Sequence, residues 1–574
     1  MRHLLLILSA SGLFAQQPIL YNRGAVNAAS LAPFGLPNAA IARGSVFTVS
    51  GENLGPVQIQ TVSGYPLLPQ LGGVSLSITQ KGVVTQAFPI SVSAKQVYAV
   101  MPSTVTAGLA TLRLTYQTSR SSAITIQIAD SAPGLFAISG GGYGPGIIQN
   151  TLSPDDQLPD SIPILNSLGG YGPDILQDAL TTDNQPINSL VNPAVPGQSI
   201  TIWGTGLGPV TDPDNMAPTA NNTATPVTVT IGGMPATATY SGRAVCCAGV
   251  DQIVVNVPDD APSGCWVPVV VNAGGVVSNT TTMAIGAPGD TSCDDPGNPL
   301  SQLVQTPGTQ AFIHVERVDS VENVDTSTPV TKTLDWIYSR FYTRPDSPYN
   351  FDPYLSYPPP GACLVHQTSG DSFYDKSLRG ALPESASLSP QPSQMYNNGS
   401  QALTFSTRRW FFSSAVGGTT GSDAFALNLL GANGNFTVDP AGVNQTVIPL
   451  TPEPPPAWTR PNTLLVVPRN APLALSFTPG DSAAPTAILL YSYAAATNST
   501  VEIQCLAPPG ANTFTISADI LANLQPTYQI IDGSYANLAI GTLGVNNAVS
   551  FTNGLAAIGV LLNSSWLSQS VVLR

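Results

Sequence analysis

Acid–base chemistry near neutral pH falls first to histidine, and this chain has three: His3, His314 and His366. A Ser-His-acid site would have to be built on one of the last two, because His3 stands in the leader-like start of the chain. No Gly-x-Ser-x-Gly elbow stands near either residue, and the HExxH, P-loop and dinucleotide fingerprints are absent. Both histidines therefore read as strand residues. Glycoside hydrolysis needs only two carboxylates, and adjacent or near-adjacent acids occur at Asp155-Asp156, Asp212 with Asp214, Asp259-Asp260 and Asp294-Asp295. All lie in segments rich in Pro, Gly or Asn, where an Asp side chain bonds nearby backbone amides in a turn, so no catalytic residue is assigned. Asp212 and Asp214, or Asp294 and Asp295 beside Cys293, offer oxygens to calcium, although neither spacing is that of an EF-hand. No other cofactor is indicated.

Aromatic side chains offer binding rather than catalysis. Residues 336–357 are dense in them, with Arg340 and Arg344 interspersed. Trp336, Tyr338, Tyr342, Arg344 and Tyr349 would make a ligand surface, since flat rings flanked by polar groups suit a sugar or peptide. The simpler reading places these rings at the edge of a core beneath a long loop.

The elements that must position such residues follow from composition. At about 100–200 residues per domain, 574 residues allow three to five domains. With 52 Gly and 53 Pro the chain is rich in turn formers, which suits short strands better than long helices. Only 9% of residues are charged, with 19 Lys+Arg against 33 Asp+Glu, so no basic stripe is available to neutralise nucleic-acid phosphates. A hydrophobic fraction of 43% supplies enough apolar area for packed cores. The fold class read from this is all-β.

Residues 1–15 carry Arg2 and His3, then an apolar run ending at Ala15, the pattern of a secretory signal peptide. No later run approaches the ~18 apolar residues of a transmembrane helix. The protein is accordingly expected in the periplasm, at the cell surface or in the medium. Six cysteines follow: Cys246, Cys247, Cys265, Cys293, Cys363 and Cys505. An even number in an exported chain favours disulfides. Neighbouring Cα atoms lie closer than the usual disulfide range, so Cys246 and Cys247 are predicted to pair separately with Cys265 and Cys293, and Cys363 with Cys505.

An internal repeat organises the first half. Residues 43–56 align with 196–209, each an alternating strand leading into Gly-x-x-Leu-Gly-Pro. Residues 96–102 align with 252–258, and Gly108 with Gly264 at the same offset. Together with the segment 131–136, these motifs resemble the Ig-like IPT/TIG fold. They resemble more closely an uncharacterised repeat domain common in secreted proteins of soil bacteria, in which Gly242-Arg243-x-x-Cys246-Cys247-Ala248-Gly249-x-Asp251-Gln252-Ile253 has a recurrent counterpart. The resemblance spans about residues 22–290. It implies two tandem β-sandwiches and an extracytoplasmic setting, and it supplies no chemistry.

The expected organisation is a signal peptide at 1–15, an Ig-like domain at 16–140, a connector at 141–190, a second Ig-like domain with the cysteine cluster at 191–286, and a linker at 287–300. The connector holds a second copy of Gly-Gly-Tyr-Gly-Pro, at 141–145 and 169–173. Residues 301–574 form a larger β-sandwich-like region with a division near 452–458 and one short helix at 517–524. The expected function is non-catalytic interaction with extracellular protein or polysaccharide, in adhesion or matrix association. The alternatives are a polysaccharide-acting hydrolase with accessory Ig-like domains, and a secretion or assembly component whose sheet edges pair with partners.

Overall fold

The computed structural model describes residues 17–151, 186–295, 298, 300–322, 330–353, 355–370, 453–459, 465–527, 533–543 and 556–574, with five further strands between 396 and 450 and the strand Val549–Asn553 as backbone. Within 330–343 only the backbone is described. The regular elements of the described residues are almost all strands, with two short helices, Ser301–Gln305 and Ala518–Leu521. The all-β reading holds.

The first sandwich sets a five-stranded sheet, in the order Ile19–Asn27, Val46–Glu52, Gln96–Val100, Phe88–Val92 and Gln60–Thr61, against a second sheet centred on Gly108–Tyr116. Alternation builds the core. In Val74–Gln80 the residues Val74, Leu76 and Ile78 point inward while Ser75, Ser77 and Thr79 are only partly buried. They meet Phe47, Val49, Val97 and Leu112 in one buried cluster.

The second sandwich repeats this plan. Ser199–Thr205 pairs with Asp251–Asn256 in the register that Val46–Glu52 adopts with Gln96–Val100: Ile202 faces Ile253 where Val49 faces Val97. Both Gly-x-x-Leu-Gly-Pro turns return their Leu to a core, Leu54 and Leu207. Each needs a left-handed residue, which is Asn53 (φ 55°) in one copy and Gly206 (φ 91°) in the other. The second position admits no side chain, because a Cβ there would lie 2.2 Å from the Ala132 carbonyl oxygen.

The third unit is one ten-stranded sheet. Its strands come from both sides of 452–458: Gly308–Glu322 runs parallel to Ala556–Leu573, and Cys363–Ser369 pairs with Ser499–Ala507. Leu465–Val467 joins the same sheet through Ala556–Leu573, so the sheet crosses the expected division. One face carries Ile488, Leu490, Ile503, Leu538 and Ile540 onto the small sheet of Leu473–Ser476 and Thr513–Ile516 and onto the helix Ala518–Leu521, part of the expected 517–524. The opposite face carries Phe312, Leu543, Leu562 and Trp566 onto Trp266 of the second sandwich.

This second face explains the segment expected to be a linker. Cys293 and Leu300 are buried in the cluster around Trp266, a disulfide ties Cys293 to Cys265, and the helix Ser301–Gln305 adds Leu303 and Val304. Turn-rich composition read as spacing; the apolar residues within it dock the two units instead. The second copy of the connector repeat, at 169–173, and the expected strand at 424–430 lie outside the described residues.

Trp566 lies flat on Gly541, where a Cβ would approach the ring to 2.3 Å. The two residues face each other across neighbouring strands. Gly541→Ala should overpack this core and destabilise the protein by about 1–3 kcal/mol, measured by urea unfolding. An unchanged midpoint would show that the ring has room to move.

Candidate functional site

The structure disperses the residues that sequence reasoning proposed as sites. Asp212 accepts the hydroxyl and amide of Thr219 and a hydrogen bond from Asn221, and these bonds lower its carboxyl below the usual range. Asp214 accepts both the amide (2.7 Å) and the hydroxyl (2.8 Å) of Ser103, tying the second sandwich to the first. Asp294 is exposed and Asp295 buried. Among the described residues no three His, Cys, Asp or Glu side chains gather as a metal centre would require. Asp259 and Asp260 are exposed, and Asp155 and Asp156 lie outside the described residues.

The proposed aromatic surface is likewise divided. Trp336, Tyr338 and Tyr342 lie on the strand Val330–Arg344, with their side chains outside the described residues. Arg344 is interior rather than surface: it makes a buried ion pair with Asp352 at 3.2 Å and donates to Gln310. Tyr349 is largely buried against the junction of the two sandwiches, and burial pushes its hydroxyl up to about 12.

Of the cysteines, Cys363 pairs with Cys505 as expected, joining directly opposed residues of neighbouring strands. The cluster pairs otherwise. Cys265 joins Cys293, and Cys246 joins its neighbour Cys247, with Cα atoms 3.7 Å apart. The usual Cα range is a tendency rather than a limit, and this adjacent pair lies below it.

The histidines show why a catalytic layout is not a catalytic site. His314 Nε2 lies 2.7 Å from Ser564 Oγ, and His314 Nδ1 lies 3.8 Å from a Glu316 carboxylate oxygen. Serine, imidazole and acid thus stand in the order that nucleophilic catalysis uses. Ser564, however, has no exposed surface, and its oxygen also accepts the indole N–H of Trp566 at 2.8 Å. Burial pushes His314 down to about 4 and Glu316 up to about 7. No substrate can reach this serine without opening the core around Trp266. His366 is also buried, packed on Phe351, and burial lowers it to about 4.

The site that does face solvent was not legible in the sequence. A cleft of about 430 Å³ opens where the first sandwich, the connector and the ten-stranded sheet meet, lined in part by Arg23, Phe34, Tyr143, Gln367, Thr497 and Asn498. Arg23 forms one wall. Its guanidinium donates to the carbonyls of Thr497 (2.9 Å) and Ala496 (3.2 Å) and sits 4.9 Å from the centre of the Phe34 ring. Two carbonyls and a ring thus engage the guanidinium, but no carboxylate is among the described lining residues to neutralise it. Three of the lining residues, Arg23 (φ 62°), Leu31 (φ 49°) and Asn498 (φ 51°), hold the left-handed conformation that side-chain-bearing residues avoid. Such strain concentrates at binding sites.

Beside the cleft stands a tyrosine ladder. In Thr486–Ala494, Leu490 and Ser492 turn to the core, which by alternation sends Tyr491 and Tyr493 to the other face. Tyr535 lies directly opposite Tyr493; its ring stacks on Tyr491 with centroids 5.7 Å apart and meets Tyr493 at 5.5 Å. Tyr535 is 41% exposed and Phe34 37% exposed. The Tyr493 hydroxyl donates to the Asn498 side chain at 3.2 Å, which links ladder and cleft. Burial, and then the charge of Asp352, raises the Tyr143 hydroxyl above its ordinary value, so it stays a neutral donor and acceptor. The Tyr-Ser-Tyr alternation was the one local signal.

No family model matches the chain, and no curated protein matches it. Among solved structures it is similar, at 12% identity, to a tetra-tandem repeat in the extending region of a large adhesion protein, over 91% of this chain and 95% of that one, with a TM-score of 0.13. It is similar at 11% identity to domains 5-6 of the S-layer protein SbsC, over 47% of this chain and 100% of that one, with a TM-score of 0.15. A gamma-CGTase from Alkalophilic bacillus clarkii is similar at 13% identity, over 71% of this chain and 35% of the enzyme, also with a TM-score of 0.15. Backbones that superpose this poorly lend no activity to one another.

Asp295 gives a test of burial. Its Oδ2 is buried without a hydrogen-bond partner, and burial, followed by the charge of Asp294, raises its carboxyl to about 7. A carboxyl raised on folding contributes stability that is full below its unfolded value, roughly 4, and lost as pH rises through about 7. Asp295→Asn should raise stability at pH 8 by on the order of 1–3 kcal/mol and change it little at pH 4. Urea unfolding at both pH values checks this, and an equal effect at both would contradict it.

Proposed function

We propose that this is an exported, non-catalytic β-sandwich protein of the cell surface or its surroundings, with Ig-like units of IPT/TIG type, that binds neutral polysaccharide in the interdomain cleft. One observation carries the reading: the cleft and its ladder combine partly exposed rings with amides and hydroxyls, and Arg23, the one charged residue of the described lining, is held by two backbone carbonyls and the Phe34 ring. Ring faces pack on the C–H faces of sugars, and neutral donors and acceptors meet sugar hydroxyls. A cationic ligand would find no carboxylate among the described lining residues. The absence of a carboxylate among the lining residues favours binding over glycoside hydrolysis, which needs two. Three disulfides support an oxidising compartment. Among the described residues no helix is long and apolar enough to cross a membrane.

Retention of the oxidised protein on insoluble neutral and charged polysaccharides, scored together with released sugar, tests the proposal. Retention on neutral polymers without release is expected, with Phe34→Ala and Tyr535→Ala each weakening it at least tenfold, about 1.4 kcal/mol or more. Both side chains are partly exposed, so neither truncation opens a core. Retention unaffected by either change would place the site elsewhere, and released sugar would overturn the non-catalytic reading.

A further inference from the structure

A disulfide between adjacent residues closes no loop. In the chain-entropy account, stabilisation grows with the length of chain enclosed; Cys265–Cys293 and Cys363–Cys505 are separated by 28 and 142 residues, Cys246–Cys247 by one. The adjacent pair therefore cannot serve as a cross-link. What it fixes is the shape of one turn, and that turn is the contact between the two Ig-like sandwiches.

Residues 244–250 join Ala238–Arg243 to Asp251–Asn256. The base is pinned by the buried Arg243–Asp251 pair at 2.8 Å, with Asp251 also accepting the amide of Leu207. The tip reaches the first sandwich. The Ala248 amide donates to the Tyr65 hydroxyl at 2.9 Å, and that hydroxyl donates to the Cys246 carbonyl at 3.4 Å. Thr205 donates to the Gly249 carbonyl and accepts the amide of Val46 at 2.9 Å. Cys247, Ala248 and Val250 are buried with Val46, Tyr98, Val100 and Trp203 in one apolar cluster. Gly249 approaches so closely that a Cβ would stand 2.9 Å from the Val46 side chain. Two of the bonds across the junction thus come from Cys246 itself and from the residue that follows Cys247.

Access differs among the three disulfides. Cys265, Cys293, Cys363 and Cys505 are all buried. Cys246 is only partly buried, next to Val245, which is 61% exposed, whereas Cys247 is 3% exposed. An incoming thiolate meets Cys246 first.

We propose that Cys246–Cys247 is a thiol–disulfide exchange site, and that its reduction by an external dithiol loosens the junction between the two sandwiches. One thiolate of the dithiol attacks Cys246 Sγ, forming a mixed disulfide and expelling the Cys247 thiolate. The second thiol of the reductant then attacks its own bonded sulfur and releases Cys246. Two electrons and two protons pass to the cysteines, and the reductant leaves as a disulfide. The freed dipeptide no longer holds the Cys246 carbonyl and Ala248 amide on Tyr65. This inference is independent of the saccharide reading.

The test uses the full oxidised chain, titrated with dithiothreitol in the absence of denaturant, with thiol alkylation and amide hydrogen exchange read in parallel. Cys246 and Cys247 should be alkylated well before the other four. The amides of Val46 and Ala248 should then exchange at least tenfold faster, while those of Leu76 and Leu112 in the first core stay protected. Reduction of all six cysteines together would overturn the proposal, as would selective reduction with no change at Val46 and Ala248. The double variant Cys246→Ser, Cys247→Ser should show the fast exchange before any reductant is added and no further response to it; wild-type protection in that variant would refute the proposal.

Discussion

The strand Val46–Glu52 is buried on both of its faces, and much of the molecule depends on that. Phe47 and Val49 fill the first sandwich, while Val46 packs outward on the second. A sheet with one wet face could be left alone; a sheet with two apolar faces must be covered twice. The ten-stranded sheet obeys the same constraint, with Ile488 and Leu538 on one side and Trp566 on the other, beneath Trp266. Units related by tandem repetition are thus fused through buried clusters rather than strung on linkers. A chain with 9% charged residues fits this arrangement, because a surface that will be covered cannot carry charge without desolvation cost.

What was legible in the sequence was whatever had a local period. The repeated strand and turn were visible as an alignment of two copies, and the structure gives both copies the same pairing register and returns Leu54 and Leu207 of the repeated turn to the cores. The cleft had no such signal. Arg23 and Thr497, which touch across it, are 474 residues apart, and no spacing rule reaches that far. The aromatic run at 336–357 drew notice because it is dense, yet Arg344 is buried and Tyr349 partly buried, while the exposed rings Phe34 and Tyr535 come singly from separate segments. Composition misled at 287–300 for a similar reason. Pro, Gly and Asp set the average, but Cys293 and Leu300 set the structure.

The Ser564–His314–Glu316 arrangement separates geometry from function. Three side chains on adjoining strands of one sheet are brought together by strand register, with His314 and Ser564 in hydrogen-bonding distance and Glu316 3.8 Å from the imidazole: Glu316 lies opposite Ser564, and His314 two residues along the same strand. In a buried sheet, polar residues at such positions tend to pair with one another, and the hydroxyl and imidazole do so here, with a carboxyl nearby in the order a catalytic site would use. Access, rather than distance, distinguishes the two cases. By the same criterion the tyrosine ladder, which has no reactive group at all, is the better candidate site because solvent reaches it.

Cleft and junction are not separate pieces of the fold. The strand Ile19–Asn27 carries Arg23 in the cleft and ends at Asn27, whose side chain accepts the amides of Ala29 and Ser30 and donates to the Ala132 carbonyl. Ala28 and Ala29 then enter the junction cluster with Val46, Trp203 and Cys247, and the chain returns to the cleft at Leu31 and Phe34. The left-handed backbone at Arg23 and Leu31 brackets this passage. Conformations of that kind persist only where surrounding contacts over-determine them, and here those contacts are the packed junction on one side and the Thr497 turn on the other. Cleft and junction are therefore held by one continuous stretch of chain, from Arg23 through Ala28 and Ala29 to Phe34.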